Sequence, residues 1–172
     1  LKLNLPTILD NTNWQSFLKI LIGGGYKDEE LISSKSAVLY SYILYLIGKQ
    51  NFNTQNHELQ RIIGRWFVMS SLTGRYSSSP ETAFEKDLNR IKEFSPDGFI
   101  SGLEKIIGEN LTNDFWDITL VGQMETSSAR SPDANAFYAA LNKLRSPVLF
   151  SRKLVGYHYD PSLKIKKKKK KK

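Results

Sequence analysis

Three arginines and one tyrosine are the residues of this sequence whose types and spacing best suit contact with a charged partner. Arg61 and Arg65 lie one helical turn apart, and Arg75 and Tyr76 follow ten residues after Arg65. A guanidinium group binds phosphate through paired hydrogen bonds and also stacks on aromatic rings. These four residues are therefore candidates for contact with a phosphate group or with a protein partner.

The segment that positions these residues, Glu58 to Asp87, has the pattern of two helices joined by a turn. Its first half carries an apolar stripe at helical spacing, which consists of Leu59, Ile62, Ile63, Trp66 and Phe67. The stripe ends before Gly74, and a serine-rich turn leads to Ser79, which is followed by proline and suits the start of a second helix. In such a corner the sequence favours a structural role for Arg65 and Arg75 over contact with a partner. They would pair with one or more of the nearby acids Glu58, Glu81 or Asp87.

The sequence shows no pattern typical of a catalytic or metal site. It has no cysteine and two histidines, His57 and His158, neither of which has a carboxylate at metal-ligand spacing. Phosphate-binding loops and nucleophile elbows are missing, and Gly23-Gly24-Gly25 follows a helical pattern and so predicts a helix end. We therefore expect a chain with no catalysis, no metal and no cofactor of its own.

A run from Ala37 to Ile47 is apolar or aromatic at every position except Ser41. It predicts a central buried helix that ends near Gly48, because a membrane span needs about 20 apolar residues and this run is shorter. No signal-peptide pattern occurs near the start of the chain. The sequence therefore predicts a cytoplasmic protein without membrane contact.

The pattern serine, proline, acid occurs three times and predicts three helix starts, at Ser79-Pro80-Glu81, Ser95-Pro96-Asp97 and Ser131-Pro132-Asp133. After the third start, the spacing predicts core positions at Phe137, Ala140, Leu141 and Leu144. Sustained two-residue alternation typical of strands is missing. We predict an all-α fold: a single helical domain over residues 1–163 with about six or seven helices, followed by a disordered basic tail over residues 164–172.

The net charge of +8 comes from the tail. Lys164 and the run from Lys166 to Lys172 supply eight of the 25 basic residues, which leaves 17 basic against 17 acidic residues in the body. A neutral body does not predict a general nucleic-acid binder. The tail lysines are candidates for nonspecific contact with polyanions, in particular Lys164, Lys166, Lys167 and Lys168.

Short motifs along most of the chain resemble the GmrSD-like restriction proteins in type and order. They are Arg65-Trp66-Phe67, Gly74-Arg75-Tyr76, Ser79-Pro80-Glu81, Asp87-Leu88, Asp114-Phe115-Trp116, Ser131-Pro132, the run from Ala136 to Leu141, and the run from Val148 to Ser151. Proteins of that family carry an N-terminal ParB-like domain with a DGQQR-type nucleotide motif, then a helical region, then a C-terminal HNH-type nuclease. The residues of this chain resemble the helical region only.

The resemblance implies the non-catalytic helical connector of a restriction or anti-phage protein whose intact parent is a nucleotide-dependent DNA endonuclease. The implied partners are the flanking nucleotide-binding and nuclease domains of the parent chain, with DNA as a further candidate. The chain begins with Leu1 rather than methionine, which favours a piece of a larger protein. The family has a lysine-containing linker after an Asp-Pro such as Asp160-Pro161, which would make the tail native. Seven consecutive lysines depart from the family's linker pattern, so an engineered tail is an equal alternative.

A second hypothesis comes from a different class of function. A neutral body equally fits a helical protein-interaction or assembly module with no nucleic-acid role. The sequence that flanks this chain in its parent gene distinguishes the two hypotheses.

Overall fold

A computed structural model describes residues 3–126, 128, 131–148 and 153–157 of the chain. This part contains eight α-helices: α1 (Leu5–Leu9), α2 (Asn11–Gly23), α3 (Lys35–Asn51), α4 (Asn56–Leu72), α5 (Pro80–Lys92), α6 (Phe99–Asn110), α7 (Leu120–Thr126) and α8 (Pro132–Lys143). It has no β-strand, and its one isolated antiparallel bridge joins Pro147 and Leu154. The predicted all-α fold is confirmed. The lysine tail over residues 164–172 lies outside the described residues.

Helix α4 is the centre of the fold. It contacts α2, α3, α6 and α8. Its predicted apolar stripe is buried along its whole length, and Ile62, Ile63 and Trp66 have no exposed surface. Burial of large side chains of this kind is the main favourable contribution to folding.

Helix α3 continues to Asn51, two residues beyond the end predicted at Gly48 and Lys49. Gly48 lies where α3 meets two other helices. A Cβ atom at this position would lie 2.5 Å from Leu59 Cδ1 and 2.6 Å from Phe99 Cε1. This glycine therefore allows close helix packing and does not end the helix. The run from Ala37 to Ile47 is mostly buried as predicted, although the side chain of Leu39 is exposed.

Two of the three predicted helix starts are confirmed. Helices α5 and α8 begin directly after Ser79 and Ser131, and the Ser131 hydroxyl accepts a 3.1 Å hydrogen bond from the Ala134 amide. The start predicted at Ser95-Pro96-Asp97 is wrong, because α6 begins only at Phe99. Pro96 and Asp97 instead accept hydrogen bonds from Asn53. The Pro96 carbonyl accepts one from the Asn53 amide, and the Asp97 carboxylate accepts one from the Asn53 side chain. They hold the connection between α3 and α4 against the start of α6.

The predicted core face of α8 is also wrong. Phe137 and Leu144 are 47% and 74% exposed, and the buried positions are Asp133, Asn135, Ala139 and Asn142. The glycine turn after α2 explains this orientation, because the small Ala139 lies against Gly25, where an added Cβ would fall 1.9 Å from the Ala139 carbonyl oxygen. The Asn142 side chain also donates a 3.0 Å hydrogen bond to the Gly25 carbonyl. The buried face of α8 is therefore selected by its fit to a backbone turn.

The structure has more helices than predicted because two of them are short. Helix α1 has five residues and α7 has seven, and neither contains a buried residue. Both are shorter than the window of about 11 to 18 residues in which apolar periodicity identifies a helix. Helix α7 directly follows a π-helical turn, Phe115–Thr119.

Among the described helices, none combines the length and the apolar character that crossing a lipid bilayer demands.

Candidate functional site

The predicted corner between α4 and α5 is present and holds a buried ionic cluster. Gly74 adopts a φ of +59° directly after the end of α4, and the Arg75 amide then donates a 3.1 Å hydrogen bond to the Ser70 carbonyl. This turn directs Arg75 and Tyr76 towards Asp87 on α5. The Asp87 carboxylate accepts hydrogen bonds from Arg75 Nε at 2.9 Å, from Arg75 Nη2, and from the Tyr76 hydroxyl at 2.7 Å.

This corner cluster, defined as Trp66, Arg75, Tyr76 and Asp87, connects three helices. Arg75 also donates to Asn110 Oδ1 on α6 at 3.2 Å, and its guanidinium carbon lies 5.4 Å from the centre of the Trp66 ring on α4. Asp87 has no exposed surface. The bidentate geometry supplies the hydrogen bonds that a buried carboxylate requires.

The protonation states of the cluster follow from these contacts. Burial, reinforced by the neighbouring Asp87 carboxylate, raises the pKa of the Tyr76 hydroxyl, which therefore remains a donor. Hydrogen bonding to Asp87 raises the pKa of the Arg75 guanidinium. Both donors therefore keep their protons at neutral pH.

Arg61 and Arg65 lie on the exposed surface of α4, where both bind one acid on α6. Arg61 Nη2 lies 2.8 Å and Arg65 Nη1 lies 3.2 Å from the same oxygen, Oε1 of Glu104. Both arginine side chains are about half exposed, at 50% and 49%. One carboxylate shared by two guanidinium groups leaves a net charge of +1 at this position.

These two arginines line a cleft of about 730 Å³ between α2, α4, α6 and α8. Its exposed lining carries Lys19, His57, Arg61, Arg65 and Lys143, together with Trp116, which is 43% exposed. Its deeper lining is apolar or glycine and includes Ile20, Tyr26, Gly64, Val68, Ile107 and Leu111. Among the described residues, no carboxylate lines this space. We call it the basic cleft.

Two features shape the deeper part of the basic cleft. Gly64 lies opposite α2, and a Cβ atom there would lie 3.4 Å from Ile20 Cγ2, which is close to ordinary van der Waals contact. Burial raises the pKa of Tyr26 to about 12, so this ring stays neutral. An apolar floor under a charged rim is the usual construction of a small-molecule site.

The four candidate contact residues thus divide into two pairs. Arg75 and Tyr76 belong to the corner cluster, and Tyr76 is only 2% exposed with its hydroxyl bound to Asp87, so it does not offer a contact surface. The predicted pairing of Arg75 with Asp87 is confirmed, whereas the predicted pairing of Arg65 with Glu58, Glu81 or Asp87 is wrong, because Arg65 binds Glu104 on α6. Only Arg61 and Arg65 remain exposed. The tail candidates Lys164, Lys166, Lys167 and Lys168 lie outside the described residues.

Sequence reasoning missed the rest of the basic cleft. Lys19, Trp116 and Lys143 come from segments far apart in the chain, and no local spacing connects them to Arg61 and Arg65. One sequence signal pointed to this face of α4: Arg61 and Arg65 lie outside the apolar stripe of the helix. In the described part of the chain, no group of three or more histidine, aspartate or glutamate side chains is placed to hold a metal ion.

Comparison with known proteins adds no relative: no family model, no curated protein and no solved structure matches the chain. The chain is therefore described by its own fold and site. The chain is an all-α domain with a buried Arg-Asp-Tyr corner and a basic cleft.

Proposed function

We propose that this chain is the helical connector of a GmrSD-like restriction protein. In this proposal the chain is not itself catalytic; it joins a nucleotide-dependent ParB-like domain to an HNH-type nuclease domain. The intact parent cleaves DNA, and the connector holds the two functional domains in one chain.

One observation supports the proposal above the others. Residues from three motifs that carry the resemblance, Trp66, Arg75, Tyr76 and Asp87, meet in the corner cluster. Residues that pair with one another inside a fold specify its architecture, and they are not free to contact a substrate. A connecting region without catalytic residues would share with its family the motifs that maintain its fold.

The second candidate, a protein-interaction module without a nucleic-acid role, is favoured by a different observation. Helices α7 and α8 contact each other, and apolar side chains are exposed on them or directly beside them: Trp116, Ile118, Val121, Phe137 and Leu144. Exposed apolar residues close together in a fold often mark a protein contact. A flanking domain of the parent chain could cover this surface, so the observation is compatible with the connector as well.

The connector proposal predicts that the purified chain does not cleave DNA. Supercoiled plasmid DNA incubated with Mg²⁺ or Mn²⁺, with and without ATP or GTP, is expected to remain uncut, because an HNH site needs histidines that bind a metal ion and activate water. Agarose-gel electrophoresis measures the nicked and linear products.

The control for this assay is the variant His57→Gln, which removes the histidine that lines the basic cleft. Metal-dependent cleavage that His57→Gln abolishes would contradict the proposal. Cleavage that is unchanged in this variant and separates from the protein on further purification would identify a contaminating nuclease.

A further inference from the structure

We propose that the basic cleft binds a nucleotide unit, with its phosphate on the charged rim and its base against Trp116 and the apolar floor. The unit comes either from a free nucleoside triphosphate or from a single strand of nucleic acid, which share this chemistry. This site goes beyond the connector role and does not depend on it.

The charge of the rim is the first argument. The body of the protein has equal numbers of acidic and basic residues, yet four basic side chains and a histidine meet at this cleft without a carboxylate in its lining. Glu104 offsets only one of these charges. Among the described residues, Lys19 and Lys143 take part in no ion pair. A local excess of positive charge in a concave site attracts anions.

The donors are available as well as charged. Arg61 and Arg65 each use one terminal nitrogen to bind Glu104. A guanidinium group has five N–H donors, so each arginine retains donors for a phosphate oxygen. Lys19 on α2 and Lys143 on α8 bring ammonium groups to the same cleft from two other helices.

The floor distinguishes a nucleotide from a simple anion. Inorganic phosphate or an acidic peptide would use the rim but not the apolar lining of Ile20, Val68 and Ile107. A nucleotide matches both parts, because its phosphate fits the charged rim and its flat base stacks on an exposed aromatic side chain such as Trp116. The volume of about 730 Å³ also lies within the range of ordinary ligand sites.

The test measures equilibrium binding to the full chain whose tail lysines, Lys164 and Lys166 to Lys172, have been replaced by glutamine. The replacement prevents nonspecific binding of polyanions to the tail. The probes are ATP, a short oligothymidylate, adenosine, tripolyphosphate and polyglutamate. Tighter binding of ATP than of oligothymidylate identifies the free nucleotide as the source, and the reverse order identifies a nucleic-acid strand.

Two sets of variants locate the site. Arg61→Gln with Arg65→Gln, and separately Lys19→Gln with Lys143→Gln, are expected to weaken nucleotide binding by at least about tenfold. Trp116→Ala is expected to weaken it by about fivefold or more. Because the second double variant leaves the Glu104 pairs intact, it keeps the test valid if the first fails to fold.

The matched control is Arg90→Gln. Arg90 is 44% exposed and forms a 2.9 Å ion pair with Glu109, but it does not line the cleft. Its substitution is expected to leave the dissociation constant unchanged within about twofold. Three results would overturn the proposal: no binding of either nucleotide probe, equal binding of tripolyphosphate or polyglutamate, or nucleotide binding that survives the cleft substitutions.

Discussion

Replacement of Asp87 by asparagine is expected to lower the free energy of unfolding by about 3 to 5 kcal/mol. Asp87 has no exposed surface and accepts three hydrogen bonds, two from Arg75 and one from Tyr76. The asparagine side chain carries no charge and offers one acceptor oxygen in place of two. The guanidinium group, whose side chain is only 18% exposed, would then be left without its counter-charge. Urea denaturation followed by circular dichroism measures this change.

The control for Asp87→Asn is Glu109→Gln, which breaks the pair between Arg90 and Glu109. Both of these side chains are exposed, at 44% and 42%, so the loss should stay below about 1 kcal/mol. A double variant, Asp87→Leu with Arg75→Met, is expected to recover part of the loss because it leaves no unpaired charge, although the Tyr76 hydroxyl still lacks its acceptor. Equal effects of Asp87→Asn and Glu109→Gln would show that the corner cluster does not stabilise the fold.

Replacement of Trp66 by alanine is expected to cost about 3 to 5 kcal/mol. Trp66 is fully buried on the central helix α4, and its ring also lies against the Arg75 guanidinium. Its removal leaves a large cavity and weakens the corner cluster at the same time. The same denaturation experiment measures the loss.

Trp116→Ala provides the control for Trp66→Ala, since Trp116 is 43% exposed and its truncation creates no comparable cavity. We expect it to change the unfolding free energy by less than about 1 kcal/mol. If Trp66→Phe and Trp66→Ala both left the denaturation midpoint unchanged, the packing of α4 described above would be incorrect.

How far the sequence predicts this fold depends on how local each signal is. The apolar stripe of α4 was predictable, because an amphipathic helix shows its core positions in its own spacing. The pairing of Arg75 with Asp87 was predictable for a related reason: Arg75 lies in the turn after α4, and Asp87 lies on the helix that directly follows this turn. The buried face of α8 was not, because that helix packs with Ala139 and Asn142 against the backbone at Gly25.

The basic cleft could not be predicted from the sequence. Glu104 binds Arg61 and Arg65 from a different helix, and Lys19 and Lys143 reach the cleft from opposite ends of the chain. These residues share no spacing that a single sequence reveals, because only the tertiary packing of α2, α4, α6 and α8 brings them together. The net charge even pointed away from such a site, since the body as a whole is neutral.

The coding sequence on either side of this chain in its parent gene tests the connector proposal most directly. The proposal predicts a DGQQR-type nucleotide motif upstream and a histidine-containing HNH motif downstream, in the same reading frame. Reading that sequence requires no assumption about the fold. A parent gene whose flanking sequence carries neither motif would contradict the proposal and would leave the protein-interaction module as the better account of this chain.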